Sequence, residues 1–295
     1  MSRRLTIIVA AALVYVATAA LFVVAGGALT RGRDGGGFFG PRVAVAEMDG
    51  IILDADDLVR ELRSHRDNPL VRAVVIRINS PGGVVAPTQE VHDALLRLRK
   101  AGKPVVASLG AVAASGGYYV AVAADRIYAS PGTLTGSIGV IMQTANVEQL
   151  LKKVGVEYVI VKAGQYKDVG SFSRAMTLEE RRVLQALLDD VHGQFIQAVA
   201  QGRKLPREQV LGFADGRVFS GMQAHALKMV DALGGLEDAV EAAARLANLP
   251  VPPAVLAPRR KFSLTDLLRN HLGLDPAALL RPSLPAVKTP LYLMD

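Results

Sequence analysis

Short apolar runs alternate with helical patterns through the middle of the chain, and this alternation limits the fold more than any other feature of the sequence. Helical patterns fall near residues 55–66 and 89–100. The strand-like runs are residues 43–48, 73–78, 104–109, 126–129 and 156–161. Continuously apolar strands are typical of a sheet that helices cover on both faces, which favours parallel pairing. The sequence therefore predicts an α/β body with a mostly parallel sheet.

The clearest single helix begins after Thr177. The sequence Thr177-Leu178-Glu179-Glu180 reads as a capping box, in which the first and last side chains each bind the other's backbone N–H group. Apolar residues then recur on one face at helical spacing: Leu184, Leu187, Leu188, Val191 and Phe195. This pattern predicts a packing helix without a chemical role. Further helical patterns cover residues 207–213, 221–229 and 236–247.

A long uncharged apolar run, residues 5–30, follows Arg3 and Arg4. A helix needs about 20 such residues to cross a bilayer, so the run predicts an uncleaved membrane anchor. The apolar core of a cleaved signal is usually about 7 to 15 residues long, although Ala25-Gly26-Gly27 keeps cleavage open as an alternative. Two further arginines after the run partly balance the basic N-terminus, so charge alone leaves the orientation of the span open.

Composition divides the chain into four parts. Residues 1–30 are the predicted transmembrane anchor, and residues 31–40 are a glycine-rich linker. Residues 41–250 carry the alternating pattern and form the globular body. Residues 251–295 mix prolines with apolar clusters, and we expect a packed arm, an oligomer contact or a disordered end.

Charge and cysteine content exclude several classes of function. The formal net charge of +7 is spread along the chain, and no nucleic-acid-binding motif accompanies it. We therefore predict no nucleic-acid partner and a mild attraction to anionic membrane surfaces. The chain has no cysteine, which excludes disulfides, thiolate catalysis and cysteine-ligated metal sites.

Three loops place glycines and small hydroxyl residues directly beside apolar runs. In Asn79-Ser80-Pro81-Gly82-Gly83, paired glycines can present bare backbone N–H groups to an oxyanion, although such turns are often only structural. In the second loop Ser115 stands at a strand-to-helix turn beside Gly116, a further N–H donor. The alternative role of Ser115 is a helix N-cap. In the third loop, residues 133–140, the Ser137 hydroxyl either orients the amine of a catalytic lysine or only makes a hydrogen bond within its own turn.

A serine nucleophile needs a base, and no histidine lies between Ser115 and Lys167. A Ser-His-Asp triad stays open, because the order of triad residues varies between folds. Lysine can serve instead when burial lowers its pKa from about 10.4 to roughly 7 to 8. Lys167 is the candidate because it follows the apolar run at 156–161. The alternative is that Lys167 is an ordinary surface lysine that pairs with Asp168.

Taken in order, these loops resemble the signal peptide peptidase A family, in its short, single-repeat bacterial type. The matching stretches are residues 79–83, 114–119, 135–140, 165–167, 216–221 and 230–231. The resemblance covers most of the chain from residue 41 to residue 249. It implies that residues 41–250 are a serine peptidase domain with the α/β fold of the Clp protease and crotonase superfamily, built of stacked ββα units.

The resemblance also implies a role for each candidate site residue. Ser115 is expected to be the acylated nucleophile, Lys167 its general base and Ser137 the hydroxyl that orients the lysine. Gly83 and Gly116 are expected to donate the oxyanion-hole N–H groups. A Ser-Lys dyad needs no metal and no organic cofactor.

The partners that the resemblance implies are extended apolar peptides, including remnant signal peptides, and the lipid bilayer. Short members of the family form homo-oligomers, often octamers, whose sites combine serine and lysine from neighbouring subunits. The catalytic body is expected on the extracytoplasmic side of the bacterial cytoplasmic membrane. Two other classes stay open: a crotonase-like acyl-CoA enzyme and a catalytically silent membrane scaffold.

Overall fold

Ten strands form two sheets in the computed structural model, which describes residues 40–258 and 291–293. The strands are β1 (Arg42–Asp49), β2 (Val71–Ser80), β3 (Gly82–Val84), β4 (Val105–Ala114), β5 (Arg126–Ala129), β6 (Leu134–Gly136), β7 (Val218–Ser220), β8 (Ala232–Leu233), β9 (Val255–Leu256) and β10 (Leu291–Leu293). The helices are α1 (Asp56–Asp67), α2 (Val85–Lys100), α3 (Gly116–Ala121), α4 (Glu148–Lys153), α5 (Leu178–Arg203), α6 (Arg207–Leu211), α7 (Gly221–Ala226) and α8 (Leu236–Leu246).

The predicted anchor at residues 1–30 lies outside the described residues, as do residues 31–39 of the linker and residues 259–290 of the tail. Across residues 40–258 and 291–293, none of the helices combines the length and the apolar character that a membrane span requires. The parts of the tail that are described both form strands. Strand β9 extends the edge of the larger sheet beside β1, and β10 pairs with β3.

Parallel pairing dominates the larger, eight-stranded sheet, as the apolar runs predicted. Its main path runs β7-β6-β4-β2-β1-β9, and β5 and β8 branch from β4. Among the strand pairs described in this sheet, only β6 and β7 are antiparallel. The first part of β4 pairs with β5 and its last part with β6. The carboxyl end of β4 therefore lies between the carboxyl ends of β2 and β6, where parallel sheets commonly carry their functional loops.

Helices cover both faces of the larger sheet, which explains why its strands are apolar without alternation. In β2, the consecutive residues Val74, Val75 and Ile76 are all fully buried. On one face, alanines of α8 pack against the valines of β1 and β2. On the other face, large side chains from α1, α2, α3 and α5 form the main core: Leu62, Leu95, Leu98, Tyr118 and Phe195. Each such side chain contributes about 1.5–3 kcal/mol on burial.

The predicted strand at residues 156–161 is wrong. These residues form neither helix nor strand, and Val161 is 95% exposed. Residues 148–176, hereafter the arm, consist of α4 and the irregular chain that follows it. All residues of the arm are described, and only Asp168 among them is buried. The apolar pattern at 156–161 therefore reflects something other than pairing within the chain's own sheet.

Helix α5 begins at the predicted capping box. The hydroxyl of Thr177 accepts a hydrogen bond from the N–H group of Glu180, whose carboxylate accepts one from the N–H group of Thr177. The packing prediction holds only for the second half of the helix, which buries Val191 and Phe195. In the first half Leu178 is 77% exposed. The arm and the start of α5 together present an apolar surface that the described chain leaves uncovered.

Candidate active site

Ser115 occupies the single residue between β4 and α3, in a strained conformation. Its φ is 51° and its ψ is −118°, a region that costs a non-glycine residue about 1–3 kcal/mol. Two backbone hydrogen bonds hold the turn. The Ser115 N–H group donates to the Gly136 carbonyl at 2.7 Å, and the Tyr119 N–H group donates to the Ser115 carbonyl at 2.9 Å. The fold therefore imposes this geometry on the serine.

The Ser115 hydroxyl is fully buried and has no hydrogen-bond partner among the described residues. It does not cap α3, so the N-cap interpretation of this serine finds no support. No histidine ring binds the hydroxyl either. A buried polar group without a partner costs about 1–3 kcal/mol, and native structures keep few of them. Such a hydroxyl is available to a substrate or to a base supplied from elsewhere.

The loop at residues 79–83 lies directly against the start of α3. A Cβ atom at Gly117 would come within 2.7 Å of the Ser80 carbonyl oxygen, so only glycine permits this approach. The hydroxyl of Ser80 is buried and accepts a hydrogen bond from the Gly82 N–H group at 3.1 Å. The buried residue Gly116 begins α3 immediately after the serine. Close packing thus fixes both glycine-bearing loops relative to Ser115.

Strand β3 presents Gly83 on its outer edge. The Ile52 N–H group donates to the Gly82 carbonyl at 3.0 Å, and the Val84 N–H group donates to the Ile52 carbonyl at 2.8 Å. Backbone groups of successive strand residues point to opposite edges, so the N–H and C=O groups of Gly83 point away from Ile52. Strand β10 pairs antiparallel along that outer edge, with Tyr292 opposite Gly83. The outer edge of β3 therefore accepts an extended backbone.

Ser137 follows β6 in a second strained turn, with a φ of 51° after the positive φ of Gly136. Its N–H group donates to the Arg217 carbonyl at 2.8 Å, and its side chain is largely buried. The hydrogen bond from Ser115 to the Gly136 carbonyl places the two serine-bearing turns side by side. The structure therefore brings four of the predicted site residues to one end of the sheet: Ser115, Gly116, Ser137 and Gly83.

Lys167 is not part of this cluster within the chain. It lies in a turn of the arm, where its N–H group donates to the Gly164 carbonyl at 3.2 Å. Its side chain is exposed, and it forms no ion pair within the part of the chain that the structure describes. The surface-lysine interpretation paired Lys167 with Asp168, but the Asp168 carboxylate binds Lys162 and Arg174 instead.

Asp168 belongs to an ion network that the sequence analysis missed. The Arg174 Nε atom donates to one Asp168 oxygen at 2.8 Å, Lys162 binds the other, and Arg174 also binds Glu180. These partners, Arg174 before Lys162, hold the pKa of the Asp168 carboxyl well below its usual range. Arg174 and the Thr177 N–H group lower the pKa of Glu180 to about 2. Alternating charges at six-residue spacing were the available signal.

Two histidines lie near the serine side of the site without reaching the nucleophile. His192 of α5 approaches the carbonyl oxygen of Ile138, the residue after Ser137, at 3.2 Å from its Nε2 atom. His92 of α2 stacks on Tyr119 with ring centroids 4.9 Å apart, and burial lowers its pKa. Both lie on helix faces. Neither supplies the hydrogen bond that Ser115 lacks.

A family model and several related proteins all assign the chain to the same family. The family model described as Peptidase family S49 matches residues 97–250. A putative protease of Synechocystis is 51% identical over 177 residues, which cover 60% of this chain and 64% of that protein. Protease 4 of Salmonella typhi is 39% identical over 219 residues, which cover 71% of this chain and 35% of that protein.

A putative signal peptide peptidase SppA of Enterococcus faecium is 34% identical over 185 residues, which cover 63% of this chain and 54% of that protein. In each of these alignments the chain spans less than two thirds of the relative's own length. The parallel-rich α/β sheet fits the Clp protease-like fold that the sequence resemblance implied. The chain belongs to peptidase family S49, the family of the signal peptide peptidase A proteins.

Proposed function

We propose that the protein is a membrane-anchored serine endopeptidase in which Ser115 is the nucleophile and Lys167 the general base. The observation that carries this proposal is the buried Ser115 hydroxyl, held without a hydrogen-bond partner on a strained turn between β4 and α3. Strain and unsatisfied polarity at one residue both cost stability, and such costs concentrate where a side chain performs chemistry.

The arrangement supports acyl transfer through two tetrahedral intermediates. Neutral Lys167 takes the Ser115 proton while the serine oxygen attacks the scissile carbonyl carbon. The N–H groups of Gly83 and Gly116 stabilise the oxyanion, and the protonated lysine then gives its proton to the leaving amine. Water attacks the acyl-enzyme in the same way, which releases a carboxylic acid and restores the serine. Ser137 orients the lysine amine by accepting one of its hydrogen bonds.

Extended peptides are the substrates that the outer edge of β3 favours. Antiparallel pairing of β10 with Gly82–Val84 supports this, because a peptide strand can make the same main-chain hydrogen bonds. The proposed substrates are remnant signal peptides and other extended apolar peptides. Backbone pairing supplies affinity in this mode, and side-chain sites along the groove supply selectivity.

A second copy of the chain is the proposed source of the lysine. The contrast between buried Ser115 and exposed Lys167 supports a site completed between subunits of a homo-oligomer, as in octameric family members. The apolar side chains exposed on the arm and on the start of α5 would be covered by such a contact. A general base must be neutral, and burial at such a contact disfavours the charged form of a lysine.

The proposed location is the bacterial cytoplasmic membrane, with the catalytic body on the extracytoplasmic side. This part of the proposal rests on the apolar run at residues 5–30 and on the family resemblance. A protein held at the membrane by one span would meet peptides released within the bilayer. The proposed orientation also gives residues 31–40 the role of a linker between the span and the catalytic body.

The test is peptide hydrolysis by the full chain in detergent, comparing wild type with Ser115→Ala, Lys167→Ala and the matched surface variant Lys152→Ala. We expect each site variant to lose activity about 10³-fold or more, because nucleophile and base act as a unit. Lys152→Ala should match wild type, since Lys152 forms only an exposed ion pair with Glu148. Fluorophosphonate labelling should disappear in Ser115→Ala.

Mixing the two inactive variants tests the shared site. Random assembly of equal amounts of Ser115→Ala and Lys167→Ala subunits should restore about a quarter of wild-type activity, because that share of heterologous contacts pairs an intact serine with an intact lysine. No recovery would confine each site to one chain. If both single variants instead cleave like wild type, the assignment of Ser115 and Lys167 fails. If wild type itself cleaves no peptide, a crotonase-like acyl-CoA enzyme or a silent scaffold takes the place of the proposed peptidase.

A further inference from the structure

Lys167 is followed in the sequence by Asp168, an acidic residue that could stabilise the charged form of the lysine and so oppose its action as a general base. A carboxylate within about 4–6 Å of a lysine favours the ammonium form and raises the pKa by about 1–3 units. A base must instead be neutral when the substrate arrives. An unrestrained Asp168 would therefore oppose the role proposed for Lys167.

The structure separates these two neighbours. Lys167 is exposed, whereas Asp168 is buried and turned into the arm. Both oxygens of the Asp168 carboxylate are engaged, one by the Lys162 ammonium and the other by the Arg174 Nε atom at 2.8 Å. Lys162 also donates to the Gln165 carbonyl at 3.0 Å, which fixes its ammonium over the turn. Each oxygen of the carboxylate is thus bound by a cation other than its neighbour.

The cluster is balanced in charge and tied to its surroundings. Lys162 and Arg174 oppose Asp168 and Glu180, where Glu180 comes from α5 and caps that helix. From α4, the Glu148 carboxylate accepts a hydrogen bond from the Ala175 N–H group at 3.2 Å and pairs with Lys152. These charged side chains therefore pair with one another, and the Lys167 side chain belongs to none of the ion pairs among the described residues.

We propose that Lys162 and Arg174 are positioning residues for the base: they bind the Asp168 carboxylate and so leave Lys167 unpaired. The inference rests on the proposed function, since it gives Lys167 the role of base. The low pKa of Asp168 agrees with it, because the hydrogen bonds from Arg174 and Lys162 keep this carboxyl ionised and bound to them. A purely structural clamp would hold the arm in place without any influence on the protonation of Lys167.

Substitution of Lys162 distinguishes these roles best. Arg174 also binds Glu180 at the N-terminus of α5, so its loss would disturb the helix. Lys162 is about one-third exposed, and Lys162→Met keeps most of its length while freeing one Asp168 oxygen. That oxygen can then pair with Lys167 and favour its charged form.

The experiment measures kcat/KM against pH for the full chain. In Lys162→Met we expect the pH at which activity rises to move upward by about one unit, so that activity near neutral pH falls about tenfold and recovers at higher pH. The values of kcat and KM on the high-pH plateau should match wild type. The matched control Lys152→Met removes an exposed cation of the same arm and should leave the profile unchanged.

A second variant removes the carboxylate's charge as well. Lys162→Met combined with Asp168→Asn should bring the profile back to the wild-type position, because no free carboxylate remains to pair with Lys167. A uniform loss of activity at every pH, or no change at all in Lys162→Met, overturns the inference. Failure of the proposed function has a different signature, since Lys167→Ala would then retain activity whatever the Lys162 variants do.

Discussion

The serine side and the lysine side of the proposed site differ in almost every physical respect. Ser115 and the turns around it are buried, glycine-packed and fixed by short backbone hydrogen bonds. The arm that carries Lys167 has one buried residue, and its apolar side chains face outward. The proposed nucleophile and oxyanion donors are thus preorganised within one chain, whereas the proposed base lies on a surface. In the proposed site, folding of one chain completes the serine side, and the lysine side requires a contact with a second copy.

Because of this difference, substitutions on the serine side and on the lysine side should have different effects. Preorganised donors act only if they are held to within fractions of an ångström, so small backbone shifts on the serine side should cost activity steeply. Changes on the arm should spare the fold of the single chain and act through assembly. Substitutions can therefore test this difference. It fails if a change on the arm unfolds the single chain, or if a backbone shift on the serine side leaves activity intact.

Gly83→Ala should have the largest effect of the three substitutions considered next. An alanine Cβ atom would overlap the Ile52 carbonyl oxygen, so β3 must shift and carry the proposed oxyanion donor with it. We expect kcat/KM to fall about 10²- to 10³-fold. The control Gly132→Ala adds a Cβ atom in open space at an ordinary φ. Equal activity in both variants would remove Gly83 from the site.

Val161→Asp tests the arm. Because Val161 is almost fully exposed, the charge should leave the thermal stability of the isolated chain unchanged. Burial of an unpaired charge between subunits is costly, so we expect weaker assembly and about a tenfold loss of activity at low protein concentration. The control Leu246→Asp places the charge at the exposed end of α8. Sedimentation and peptide hydrolysis should change together for Val161→Asp alone.

The smallest effect in this series is a change in stability, expected for Ser115→Ala with an unusual sign. Removing a buried hydroxyl that lacks a partner should raise the free energy of unfolding by about 1 kcal/mol. Ser108 of β4 is equally buried, but its hydroxyl accepts a hydrogen bond from Arg77 at 2.8 Å, so Ser108→Ala should be destabilising by a similar amount. Urea unfolding at one protein concentration compares them. Destabilisation by both variants would contradict a preorganised, unsatisfied nucleophile.

The sequence allowed good prediction of the serine side because local chemistry determines it. Apolar runs ending in small residues indicated β2 and β4, and a serine between a strand and glycines indicated the turn at Ser115. The predicted strand at residues 156–161 failed because an apolar pattern indicates a tendency toward burial but does not identify what buries the segment. Within one chain that segment has no strand beside it.

The ion network around Asp168 escaped prediction for a different reason. Six-residue spacing brings Lys162, Asp168 and Arg174 together only because the arm folds into successive turns. Six residues are not a whole number of helical turns, and in a strand they share a face but lie about 20 Å apart. The pairing of β10 with β3 depends on segments far apart in the chain, which local patterns do not reveal. Long-range contacts and irregular turns therefore set the limit of what the sequence could predict here.

The pairing of β10 with β3 changes how substrate entry should be described. An occupant that belongs to the same chain does not leave when the protein is diluted, since its local concentration is set by the connection and not by the solution. A peptide that reaches the outer edge of β3 must therefore exchange with a strand already in place. The apparent affinity for a peptide then measures the difference in free energy between β3 paired with the peptide and β3 paired with β10. A weak apparent affinity is therefore compatible with a groove that fits the peptide well.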